Sequence, residues 1–154
     1  MADNFVANAG SGGSTFASDD VGGIQYPRVK ISHGGNGVAA DHAVGVKRIS
    51  TASTNAVNVK ATAGVVYSIV ALNLNAAVRF LKLYASGSTP VVGTDTPAIT
   101  LPIPASTTGA GLVIAFNAGI EFANGIGFAF TTGAADSDTG AVAANEIFLH
   151  LGYV

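Results

Sequence analysis

Apolar and polar residues alternate with a two-residue period over short stretches of this 154-residue chain, and turn-forming residues separate the stretches. Val57 and Val59 alternate with Asn58 and Lys60, and a β-branched run follows over residues 65–72, bounded by Gly64 and Asn73. Val78, Phe80 and Tyr84 mark another strand, with Arg79 and Lys82 among its apolar residues. Ile99, Leu101 and Ile103 alternate with Thr100 and Pro102, which predicts a strand at a sheet edge or at a bulge, because proline has no N–H for a second neighbour. The same period recurs at Leu112, Ile114 and Phe116, and at Ile126, Phe128 and Phe130. In the final stretch Ile147, Leu149, Leu151 and Tyr153 share one face, and Phe148 and His150 the other.

The first part of the chain is less regular. Residues 24–32 alternate Ile24, Tyr26, Arg28 and Lys30 with Gln25, Pro27, Val29 and Ile31, which predicts a strand with Pro27 near its start or on an edge. His33-Gly-Gly-Asn-Gly ends it. No period persists over residues 38–55, so that segment reads as a long loop or a weak strand over 44–49. Residues 1–23 are dominated by Gly, Ser, Thr, Asn and Asp, a composition that buries too little apolar surface to order itself alone. The expected organisation is a flexible N-terminal arm over 1–23 and one domain over 24–154, with Phe5, Val6 and Phe16 as anchors of the arm.

No window of eleven or more residues sustains a helical period with a cap. Seven to nine short strands separated by Gly/Ser/Thr/Pro turns predict an all-β fold, an antiparallel β-sandwich of jelly-roll type. In several strands both phases are apolar, as in Val65-Val-Tyr-Ser-Ile-Val-Ala-Leu72. A sandwich sheet has one outer face, so such a strand needs a second cover, and neighbouring subunits are the simplest one.

Composition sharpens that expectation. Charged residues make up 10% of the chain and apolar residues 49%. A globule of this mass exposes about 7,000 Å² and would carry about one charge per 440 Å², against about 190 Å² for average usage. Such a surface suits a subunit that hides part of its outside in an assembly. The net charge of -2 and the scattered bases supply no patch to neutralise a row of phosphates, which argues against direct nucleic-acid binding. With no cysteine there is no disulfide framework, thiolate metal site or cysteine nucleophile. Asp3 stands where a secretory signal would carry a base, and no apolar run approaches the ~20 residues of a membrane span. A soluble cytoplasmic product that assembles there is expected.

Candidate chemistry is thin. Asp136-Ser-Asp138-Thr-Gly140 followed by Glu146 has the look of a calcium loop. Setting Gly140 at the sixth position, however, puts Ala135, Ser137 and Thr139 at positions one, three and five. A solvated turn is the simpler reading. Asp19 and Asp20 are adjacent on an extended segment and point apart, so they read as turn-setting residues or as partners of Arg28 rather than an acid–base couple. Gly35-Asn-Gly37-Val-Ala-Ala40 matches a dinucleotide fingerprint without the helix and acidic residue that would confirm it, and His33-Gly-Gly lacks a serine elbow. His33, His42 and His150 show no metal-ligand spacing. Phe80, Phe116, Phe128 and Phe130 read as core, and Tyr26, Tyr84 and Tyr153 as interface residues. These constellations imply no cofactor, no metal and no enzyme.

Asp19-Asp20-Val-Gly-Gly-Ile-Gln-Tyr26-Pro27-Arg28-Val-Lys30, preceded by the Gly/Ser/Thr arm, resembles the opening of a group of small virion proteins of tailed bacteriophages. Val78-Arg-Phe-Leu-Lys-Leu-Tyr84, Val91-Val-Gly-Thr-Asp-Thr-Pro97 and Ala143-Ala-Asn-Glu146 are similar to the same group, so the resemblance covers most of the chain. It implies a β-sandwich subunit present in many copies on the virion. Within that group the expected role is a capsid decoration (cement) protein on the capsid surface. It would be a homotrimer whose partners are its own copies and the major capsid protein, with neither nucleic acid nor membrane. Phe5, Val6 and Phe16 would anchor the arm, and Asp19, Asp20, Tyr26 and Arg28 would supply polar and interface contacts. A tail, collar or fibre component in host attachment is the alternative within the virion, and a carbohydrate-binding sandwich the alternative outside it.

Overall fold

The structure is a computed structural model that describes residues 4–6, 15–22, 24–27 and 43–154. The chain divides into two compact units, Met1–Asp41 and His42–Val154. In the first, β1 (Asn4–Val6), β2 (Thr15–Val21) and β3 (Ile24–Pro27) form an antiparallel sheet in the order β1-β2-β3. Phe5 is in register with Phe16, and Asp19 with Tyr26. Val21 pairs with Ile24 across a turn in which Gly22 takes a positive φ of 65°, the backbone state that tight hairpins need and glycine adopts freely. The strand expected over 24–32 is therefore seen as Ile24–Pro27, and residues 28–32 lie outside the described residues.

The second unit is a β-sandwich, with no helix among its described residues. Its eight strands are β4 (Val44–Ile49), β5 (Val57–Lys60), β6 (Gly64–Asn73), β7 (Arg79–Ala85), β8 (Ile99–Ile103), β9 (Gly111–Phe122), β10 (Ile126–Thr131) and β11 (Ile147–Tyr153). They form two antiparallel four-stranded sheets, β5-β10-β7-β8 and β4-β11-β6-β9. The pairings are nested: β4 with β11, β5 with β10, β6 with β9 and β7 with β8. Each expected alternation from Val57 onward forms a strand, and the weak signal over 44–49 is β4, an edge strand. Pro102 falls on β8, which pairs with β7 alone, so its missing N–H removes no bond to a second neighbour.

One core joins the sheets. Val66, Ile69 and Ala71 of β6, Leu149 and Leu151 of β11 and Phe122 of β9 meet Leu81, Leu83, Ile103, Phe128 and Phe130 of the opposite sheet. The rings of Phe128 and Phe130 sit 5.3 Å apart in a tilted pair. Along β9 the register breaks between Ala115 and Ile120, so residues 116–119 stand against Tyr67 alone and form a wide bulge. Gly119 turns this corner with φ 74°, and a Cβ there would come within 2.2 Å of Val65. The bulge keeps Leu112 and Ile114 on one side of it, and Ile120 and Phe122 on the other, in contact with one core.

Candidate functional site

The two outer faces of the sandwich are finished differently. On β5-β10-β7-β8 the outward phase of β7 is Phe80, Lys82 and Tyr84, and that of β10 is Gly127, Ala129 and Thr131. From Lys82 to Tyr84, and at Ala129 and Thr131, these residues are buried. The cover comes from the same chain. Residues 86–98 bring Pro90 onto Gly127, where a Cβ would lie 2.8 Å from the proline ring. Residues 132–146 pack beside them, so that a Cβ on Gly93 would come within 2.5 Å of Thr139.

Polar residues fasten this second layer. Asp138 Oδ1 accepts hydrogen bonds from the backbone N–H of Gly133 and of Gly140, both at 3.0 Å, and closes the loop on itself. Lys82, fully buried, rises from the sheet into that loop. Its ammonium donates to the carbonyls of Ala135 at 2.6 Å, Asp138 at 3.2 Å and Asp136 at 3.4 Å. A buried charge costs several kcal/mol unless such partners replace its water, and here three backbone dipoles do so. At the far end of the loop Glu146 pairs with Arg79 Nε through one oxygen and accepts the Ala143 N–H through the other. Ser50 Oγ donates to the Ala143 carbonyl at 2.7 Å and accepts the N–H groups of Glu146 and Ile147.

The Asp136–Glu146 region is a largely exposed loop joining β10 and β11, and where a calcium loop would place a metal ion its carbonyls converge on Lys82 instead. Both oxygens of Glu146 are likewise taken by protein groups. Tyr84, expected at an interface, is 1% exposed, and its hydroxyl has no hydrogen-bond partner. Burial, and secondarily the carboxylates of Asp95 and Asp136, push the phenol above its ordinary value of 10.

Among the described residues no such layer covers the outer face of β4-β11-β6-β9. Its register sets up three rows across the sheet: Ile49, Phe148, Leu72 and Gly111; then Lys47, His150, Val70 and Val113; then Gly45, Gly152, Ser68 and Ala115. Ile49, Leu72, Val70 and Val113 are exposed, Val113 by 77%. At the β9 side they border an apolar groove of about 280 Å³ lined by Val70, Leu72, Leu112, Val113 and the segment Gly109 to Gly111. Ala110 lies in this segment at φ 63°, a left-handed state that costs a residue with a Cβ about 1–2 kcal/mol. It is held there because its carbonyl accepts the Asn73 N–H at 2.7 Å. Among the described residues the chain thus covers one of its two outer faces with its own loops and not the other.

Among the residues singled out from sequence, His150 sits in the middle row of the bare face, beside Lys47. Phe128 and Phe130 are core, and Phe116 and Tyr153 pack against it. The backbones of Phe5, Val6, Phe16, Asp19, Asp20 and Tyr26 are in β1, β2 and β3, while their side chains, and all of Arg28, His33, His42 and the segment from Gly35 to Ala40, lie outside the described residues. No cluster of metal-ligating side chains occurs among the described residues. Reading the sequence missed Lys82 as an organising cation and Val113 as the most exposed large apolar residue. The signal for Val113 was available, because it is apolar in the phase opposite to Leu112 and Ile114. The chain matches no family model, no curated protein and no solved structure.

Proposed function

We propose that this chain is a structural subunit of a tailed-bacteriophage particle, and specifically a capsid decoration (cement) protein. It assembles as a homotrimer and joins the major capsid protein at the virion surface. The observation that carries the reading is the exposed apolar face of β4-β11-β6-β9, in a unit whose other sheet face is largely covered by its own loops. A chain able to cover one face and leaving the other open has a surface suited to burial by association. The nested pairings, the first strand with the last and so inward, support a sandwich of jelly-roll type, a fold that recurs in capsid subunits. The resemblance of the segments around Tyr26 and Tyr84 to small virion proteins supports the same role.

The proposed mechanism is collective burial. Each contact on a small apolar face is modest, but a trimer seated on a lattice must release all of them at once, which raises the effective concentration and slows loss. Counting copies in purified particles by quantitative mass spectrometry tests the role. Hundreds of copies on the head are expected, whereas absence from the particle, or a few copies at the tail, contradicts it.

A further inference from the structure

The outer face of β4-β11-β6-β9 carries exposed apolar side chains around a basic centre. Val70, Leu72 and Val113 supply the apolar part. Lys47 and His150 lie side by side in register, and no described carboxylate stands in the three rows. The first 27 residues of the chain have the complementary character. They contain Asp3, Asp19 and Asp20, no Lys, Arg or His, and the apolar residues Phe5, Val6 and Phe16.

We propose that the bare sheet face is the docking surface for residues 1–27 of a second copy of this chain, Asp19 and Asp20 meeting Lys47. Charge opposition favours the acidic strand segment over a second bare face, because the segment brings carboxylates to Lys47 whereas the three rows of such a face bring none. Reach permits it. Residues 28–43 separate β3 from the start of β4, and sixteen residues span at most about 55 Å when fully extended. They lead into β4, which is an edge strand of this sheet. Occupation by a neighbour's arm rather than the chain's own rests on the reading that the subunit works in many copies, where arms and faces are at high effective concentration.

The absence of cysteine makes the test direct. Gly45 is exposed two residues from Lys47 on the same face of β4, with open space at its Cβ. Full-length Ser18→Cys and Gly45→Cys chains are prepared separately, mixed, and treated with a short bis-maleimide cross-linker. The expected product is a covalent species of twice the chain mass that requires both variants. Lys47→Glu in the Gly45→Cys chain should reduce it severalfold, and Asp19→Lys with Asp20→Lys in the Ser18→Cys chain should restore it. Cross-linking of Gly45→Cys to itself would overturn the proposal in favour of face-to-face pairing. Cross-linking confined to a single chain carrying both cysteines would overturn it in favour of the chain's own arm. No product would overturn it outright. Copy number on the particle reads the virion role separately, so either idea can fail alone.

Discussion

On β5-β10-β7-β8 the residues pointing away from the core include Lys82, Tyr84, Ala129 and Thr131, all buried; on β4-β11-β6-β9 they include Lys47, His150, Val70, Leu72 and Val113, all exposed. Both faces belong to antiparallel four-stranded sheets, the second with the longer strands. The difference lies in the connections. Two long loops, residues 86–98 and 132–146, fold back over the first sheet and are fastened by a buried ammonium, a carboxylate-closed turn and an ion pair. No described loop folds over the second sheet in the same way. Polar side chains among the described residues therefore hold a cover over one sheet, and the exposed apolar side chains of the other have no such cover among them.

The comparison breaks most sharply at Lys82. Replacing it with methionine keeps the volume but leaves the carbonyls of Ala135, Asp136 and Asp138 without their donor, so Lys82→Met should cost about 3 kcal/mol in urea unfolding. The loop over residues 132–146 should then lose amide protection before the core strands do. Retained stability would mean that packing alone holds the cover.

Tyr84 probes the same layer with the opposite sign. Its buried hydroxyl has no partner, and Tyr84→Phe removes a polar group whose desolvation nothing offsets, so stability should rise by about 1 kcal/mol. The phenol is raised in the folded state, so it stays protonated after its unfolded counterpart ionises. Its contribution is present in full below pH 10 and is lost as pH climbs through the folded value. Wild-type stability should therefore fall above pH 10, and Tyr84→Phe should show a shallower fall in equilibrium unfolding measured across that range.

Much of the sandwich was legible because its signal is local. A two-residue apolar period, or in β6 a β-branched run, marked the strands from β5 to β11, and Pro102 restricted β8 to an edge or a bulge, of which the structure shows the edge. Strand β4 gave a weak signal because it is an edge strand of mostly exposed residues, so burial imposes little pattern on it. What the sequence hid is non-local. Lys82 meets a loop more than 50 residues away, and Ser50 meets one more than 90 away, and no spacing rule joins such positions. The two apolar phases of β6 are borne by Val70 and Leu72 on an exposed face. On β10 the outward Gly127 and Ala129 are covered from within the chain. Small residues under a loop and small residues under a partner look alike in sequence.

Changes on the bare face should have the smallest effect on the stability of the fold and the largest on association. Val70→Asp with Val113→Asp alters side chains that already face water, so unfolding should move by no more than about 0.5 kcal/mol per site. Sedimentation velocity of the full-length wild type and of this double variant, at matched concentration and salt, is the most direct measurement of whether the face exists to be covered. A wild-type oligomer that becomes a folded monomer in the variant is the predicted result. A wild-type monomer, or an oligomer indifferent to both aspartates, would contradict it.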